Sequence, residues 1–339
     1  MYESYYGLSA NPFQLKPDPH FFFGSKGHKR AMSYLEYGLS QGDGFIVITG
    51  EIGAGKTTLV RSLFRKLASE KIIAAQITNT HLDSDDTLRM VVAAFGLPYE
   101  DVSKAALLTK LEQFLRQCEQ QGKRALLVVD EAQNLSSRTV EELRMLSNFQ
   151  SDDKPLLQTF LLGQPEFRNT LLSGDMQQLR QRVIATYHLG PMDAAETRAY
   201  IEHRLHTVGW RGAPSLSADA FATIHEYSGG IPRKINSLCD RLFLMGYLEE
   251  IHNFTATEVN AVIGDIQQEF VLPQPQAQIG AHAPANVAQT GQSADYAASL
   301  EKMDERLARM EYSVISVIEL LKQVISVNCV KPPAQNETN

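Results

Sequence analysis

Gly50-Glu51-Ile52-Gly53-Ala54-Gly55-Lys56-Thr57, continued by Thr58, follows the pattern G-x-x-x-x-G-K-[ST]. Glycines in this order let backbone N–H groups turn inward and approach phosphate oxygens. A helix starting near Lys56 would point its positive end at the same oxygens. The Lys56 ammonium would reach β- and γ-phosphates, and the Thr57 hydroxyl would hold Mg2+. A structural glycine turn is the bland alternative. The flanks argue against it, because an apolar strand (45–49, FIVIT) precedes the loop and an amphipathic helix (56–69) follows it.

Outward from the loop, short apolar runs recur at 72–77, 125–129, 156–162 and 184–189. Helical patterns at 87–95, 105–121 and 138–149 separate them. Strands spaced by helices predict an α/β parallel sheet with helices on both faces. The run at 125–129 ends in Asp130-Glu131. A buried strand that ends in two carboxylates needs a reason, since burying unpaired charge is costly. Asp130 is placed to complete the Mg2+ site and Glu131 to polarise an attacking water; a solvated acidic turn is the alternative. Gln164 stands at the tip of the next strand, as a γ-phosphate sensor or an ordinary turn residue. Arg180 and Arg182 precede the last strand, where an arginine could reach a neighbouring subunit's nucleotide or form a surface salt bridge.

Beyond 193 the strand signal ends and helical patterns at 193–208, 217–227, 232–248 and 255–268 predict a small all-helical domain. Within it, Gly229-Gly230-Ile231-Pro232-Arg233 opens a helix. Pro suits the first helical position. Arg233 and Lys234 sit at the end of the helix dipole that repels cations, which points to an anionic ligand. The chain divides on this reading into an α/β domain at 1–190, a helical domain at 191–270 and a Pro/Gln/Ala/Gly-rich linker at 271–295. A coiled-coil helix at 296–328 and a loose tail at 329–339 complete it. The coiled-coil seam is Leu300, Met303, Leu307, Met310, Val314, Val317, Leu321 and Val324, spaced three and four apart. It predicts self-association or a partner helix, with a helix folded back on the body as the alternative.

Composition bounds the function. With 32 basic and 39 acidic residues in 339, the net charge of −7 disfavours a bulk nucleic-acid or anionic-membrane binder. Cys118, Cys239 and Cys329 form no metal-ligand or disulfide spacing. No secretory leader and no apolar run of about 18 residues is visible. A cytoplasmic location is expected.

Together these motifs resemble the AAA+ ATPases, and among them the general secretion pathway protein A type. Further support comes from Tyr6-Gly7-Leu8, Asn11-Pro12-Phe13, Pro17-Asp18-Pro19, His28 and Tyr37-Gly38. The stretches VVDEAQNL, EELRMLSNF, LLGQPEF, LRQRVIATYHLGPM and GGIPRKIN add to it, so that it covers residues 1–268. The resemblance implies a P-loop AAA+ α/β fold with a helical lid, and ATP with Mg2+ as cofactors. Residues 50–58 and Arg233 would bind nucleotide, with Arg233 as sensor 2. Thr57 and Asp130 would hold the metal. Glu131, Lys56, Gln164 (sensor 1) and Arg182 (arginine finger) would be catalytic. The segment around Asn11-Pro12-Phe13 would lie near the adenine, with Phe13 or His28 as the contact and Phe13 otherwise a core aromatic. Linker plus coiled coil looks more like the ATPases associated with exosortase (PEP-CTERM) and exopolysaccharide systems. The expected function is a homo-oligomeric ring ATPase, a hexamer for example, at the inner membrane through an envelope partner. A DNA-associated transposition-helper ATPase and a nucleotide-dependent scaffold are the alternatives.

Overall fold

The run FIVITG is buried at every position, as expected of a central strand in a sheet covered on both faces. The computed structural model, which describes residues 2–67, 71–78, 84–151 and 154–270, turns it into β1 (Phe45–Gly50). The other runs become β2 (Ile72–Ile77), β3 (Arg124–Val129), β4 (Leu157–Gly163) and β5 (Val183–Leu189). They form one five-stranded sheet, ordered β2-β3-β4-β1-β5, in which every neighbouring pair is parallel. β5 is an edge, and residues 183–188 accordingly alternate between partly covered and exposed before the buried Leu189.

Helices cover both faces. Those before and between the strands are α1 (Lys26–Gln41), α2 (Lys56–Leu67), α3 (Ser84–Ala94), α4 (Lys104–Gln120) and α5 (Ser137–Leu146). Two shorter ones, α6 (Glu166–Leu172) and α7 (Gln177–Arg180), follow β4. α1 and α2 bury Leu35, Leu59 and Leu63 against Ile46, Ile48, Phe160 and Leu162 on one face. α3, α4 and α5 bury Leu88, Val91, Leu111 and Leu143 against Val47, Leu127 and Leu161 on the other. α1 was not read from the sequence. It starts at Ser25, whose side chain accepts from the His28 N–H, and stops at Gly42 in the left-handed region.

Four helices follow: α8 (Ala194–Thr207), α9 (Ala218–Ser228), α10 (Pro232–Leu248) and α11 (Ala256–Phe270). Asp193 and Glu196 form a capping box that starts α8. A parallel pair of two-residue strands, Ser215–Leu216 with Asn253–Phe254, ties the entries of α9 and α11 where no strand was expected. This layer has its own core, and the start of the chain belongs to it. Tyr2, Tyr6, Leu8, Phe13 and Phe21 are buried among Ile201, Leu205, Leu242 and Phe243. Among the described residues no helix is long and apolar enough to cross a membrane. The expected linker, coiled-coil helix and tail lie outside the described residues.

Candidate functional site

The carboxyl ends of three adjacent strands set the site. Thr49 of β1 pairs with Gly163 of β4, and Val129 of β3 pairs with Leu161 of β4. Gly50, Asp130 and Gln164 therefore leave the sheet side by side, at the edge where open parallel sheets bind ligands. Between β1 and α2 the loop turns through Gly53 and Gly55, at φ of 82° and 99°. Only glycine takes these values without penalty. Close packing adds a second constraint: a Cβ on Gly53 would lie 2.2 Å from Arg233 Cβ, and one on Gly55 would lie 2.7 Å from His28 Nε2.

Lys56 is buried at the start of α2. Its Nζ donates to the carbonyls of Gly50 (2.6 Å) and Glu51 (3.1 Å) and has no carboxylate within ion-pair distance among the described residues. Burial pulls its pKa below the usual lysine value, while Glu131 and Asp130 pull it back up. Thr57 Oγ1 donates to Asp130 Oδ2 at 2.9 Å, and the Glu131 N–H donates to Asp130 Oδ1 at 3.0 Å. Burial raises the Asp130 pKa; the hydrogen bonds from Thr57 and Glu131 oppose that rise.

Glu131 holds left-handed backbone geometry, φ 56° and ψ 41°. A non-glycine residue in that region is strained, and such strain concentrates at functional positions. Its carboxylate accepts from Gln133 Nε2 (2.6 Å) and from Gln164 Nε2 (3.4 Å). The Gln164 N–H in turn donates to Gln133 Oε1 at 2.9 Å. Gln133 therefore ties Glu131 to Gln164. Sequence reading missed it, because a glutamine two residues past a carboxylate carries no signal until the strands align.

A cavity of about 190 Å3 opens above the loop. Gly53, Gly55, Lys56, Thr57, Thr58 and Glu131 form its floor. Residues 14–18 and 21–23 form one wall, and Met192, Tyr200, Arg204, Pro232, Arg233 and Asn236 form the lid side. Arg233 reaches it because its backbone N–H donates to Gly53 O at 3.2 Å. Ile52 stands exposed at the loop's crest, and Ala54 is buried beneath it.

Of Phe13 and His28, only His28 lines the cavity. Phe13 is fully buried in the helical core and stacks on Phe243 at 5.3 Å, so it is a core aromatic and not a base contact. His28 Nδ1 lies 2.7 Å from Ser25 Oγ, and burial lowers its pKa. Phe21, Phe22 and Phe23 supply the aromatic wall instead. Arg182 is the site candidate the structure leaves apart. Val183 pairs with Phe45, at the opposite end of β1 from Gly50, and Arg182 Nη1 donates to Ser147 Oγ at 2.7 Å. Arg180 donates to the carbonyls of Leu171 and Ser173.

The donor set fits a magnesium ion. Mg2+ characteristically takes one or two carboxylates, keeps waters and shares substrate phosphates. The Thr57 hydroxyl and the Asp130 carboxylate, adjacent to the lysine, offer that combination. Among the described residues no cluster of three His, Cys, Asp or Glu forms an all-protein metal cage.

Residues 39–171 match the family described as AAA domain. The chain is 38% identical over 261 residues to general secretion pathway protein A of Aeromonas hydrophila, covering 77% of this chain. It spans about half (47%) of that relative's length. Among solved structures it is similar to Cdc6p of Pyrobaculum aerophilum, with TM-score 0.59, 15% identity, and 77% and 74% of the two chains covered. The ORC2 protein of Aeropyrum pernix gives TM-score 0.58 at 16% identity, covering 76% and 72%. At these identities the likeness concerns the fold, which is that of AAA+ P-loop proteins.

Proposed function

The chain has the AAA+ fold and, over three quarters of its length, a sequence similar to general secretion pathway protein A; from that premise we propose that it binds and hydrolyses ATP. The observation that supports this most is the convergence of Lys56, the Thr57–Asp130 pair and Glu131 beside one cavity. Backbone N–H groups of residues 50–58 and the Lys56 ammonium would take the phosphates. Thr57 and Asp130 would hold Mg2+, which supplies charge neutralisation on phosphate oxygens. Glu131 polarises the attacking water, and Gln133 and Gln164 hold its carboxylate in place. Gln164 and Arg233 sense the nucleotide. Arg182 is at the far end of the sheet from its own loop, so any action on nucleotide is in a neighbouring subunit of a ring.

The coupled task is assembly or regulation of an envelope secretion or exopolysaccharide machine, of the exosortase-linked kind. The organisation that serves it is an α/β domain within 1–190 whose opening residues, through Phe21, pack into the core of a lid at 191–270, with the heptad-patterned segment 296–328 for self-association or a partner. The protein works in the cytoplasm, peripheral to the inner membrane through that partner.

Glu131→Gln tests the reaction. It preserves the side chain's size, and its loss of a positioned base should lower ATP turnover by about a hundredfold or more while ATP still binds. Steady-state phosphate release and equilibrium binding measure the two. Turnover equal to the unmodified chain's would remove Glu131 from the mechanism. Absence of turnover in the unmodified chain would favour a scaffold.

A further inference from the structure

Arg204 on α8 is a buried cation in the cavity wall with no carboxylate partner among the described residues. Buried charges are ordinarily paired, because an isolated one is costly. Arg204 instead spends its guanidinium on the chain's own start. Nε donates to Pro12 O, Nη2 to Gln14 O at 3.2 Å and Nη1 to Tyr200 Oη at 2.8 Å. Its Cζ lies over the Phe21 ring, 4.7 Å from the centroid. Tyr200 Oη then donates to Asn236 Oδ1 at 2.9 Å. Asn236 lies one turn along α10 from Arg233, whose N–H bonds the phosphate loop at Gly53.

These contacts form one path from the N-terminal strap through two lid helices to the loop. We propose that Arg204 is a positioning residue. It seats the strap (residues 12–23) on the lid and so sets the cavity wall opposite the phosphate loop. Nucleotide affinity then depends on Arg204 although Arg204 carries out no chemistry. The inference rests on the nucleotide reading above.

The test uses the full chain with Arg204→Lys, Tyr200→Phe and the double variant. Lysine keeps the charge but cannot fork across two carbonyls and a phenol. Losing charge-assisted hydrogen bonds that hold the wall should raise the Kd for ADP and the KM for ATP about tenfold. The turnover number at saturating ATP should fall less than about threefold, as uniform binding is lost and not transition-state stabilisation. Tyr200→Phe should weaken ADP binding in the same direction, and the double variant should exceed the larger single effect by no more than about twofold, because both act on one path. Isothermal titration of ADP, steady-state kinetics and thermal melting without nucleotide supply the readouts. A lower Tm with unchanged Kd in both single variants makes the cluster merely structural and overturns the proposal. A collapse of turnover at unchanged KM overturns it as well. Failure of the unmodified chain to bind ADP overturns the nucleotide reading itself, and the role of Arg204 falls with it.

Discussion

Asp130 and Lys56 are both buried, and burial moves each toward its neutral form. The raised Asp130 pKa has a definite linkage sign. Between the ordinary carboxylate range and its raised native value, the folded protein holds more protons than the unfolded chain. Stability from this group is therefore lost as pH rises through that window. Asp130→Asn keeps an oxygen for the Thr57 hydroxyl to donate to while removing the charge. The variant should melt at the same or a higher temperature near neutral pH, with a flatter pH profile above the ordinary carboxylate range. It should also lose the Mg2+-dependent part of its stabilisation by ADP, because the carboxylate that would hold the ion is gone. Thermal melts across pH, with and without Mg-ADP, check both. A variant melting well below the unmodified chain at pH 7 would mean that the carboxylate is structurally favourable as it stands.

At the scale of elements, α1 shows how packing reverses a propensity. In an exposed helix, replacing glycine by alanine stabilises by about 1 kcal/mol. At Gly38 the added Cβ would lie 2.4 Å from Ile46 Cγ1 and 2.8 Å from Ile46 Cδ1, with Ile46 fully buried on β1. Overpacking of that kind costs about 1–3 kcal/mol. Gly38→Ala should therefore destabilise by up to about 2 kcal/mol net, visible as a lower denaturant midpoint at unchanged slope. Gly38, together with Gly27 near the helix start, also explains why this helix was not legible in the sequence: the two dilute a pattern whose apolar positions, Ala31, Met32, Leu35 and Leu39, are correctly spaced. The central strands were legible because burial on both faces writes an unbroken apolar run: 45–49 appears within Phe45–Gly50 and 125–129 within Arg124–Val129. Of the site, Gly50–Thr57 and Asp130-Glu131 could be read because each is contiguous. The wall made by Phe21, Tyr200, Arg204 and Asn236 could not, since those residues meet only after three separate segments pack together. Phe13 was ambiguous for a related reason: an aromatic beside a proline looks alike whether it faces a ligand or Phe243.

The molecule as a whole is held at its start. Tyr2 Oη donates to Asp240 Oδ1 and Tyr6 Oη to Ile251 O, while Asn11 Nδ2 donates to Asp240 Oδ1. Tyr2, Tyr6, Leu8, Phe13 and Phe21 are buried in the helical core. Each large apolar side chain is worth about 1.5–3 kcal/mol when buried, so together they rival the about 5–15 kcal/mol that stabilises a typical domain. Removing residues 1–24 should leave the helical layer without a cooperative core. Limited proteolysis should then cut within 194–270 while the sheet's strands stay protected, and resistance equal to the full chain's would contradict this. The feature also bears on synthesis. Tyr2 and its partner Asp240 are separated by 238 positions, so the aromatic segment leaves the ribosome long before Asp240 does and waits for the residues between them to be translated. Until then its rings have no native partner. Chaperones that bind exposed aromatics on nascent chains would find here a target that persists throughout elongation and vanishes when α10 and α11 emerge.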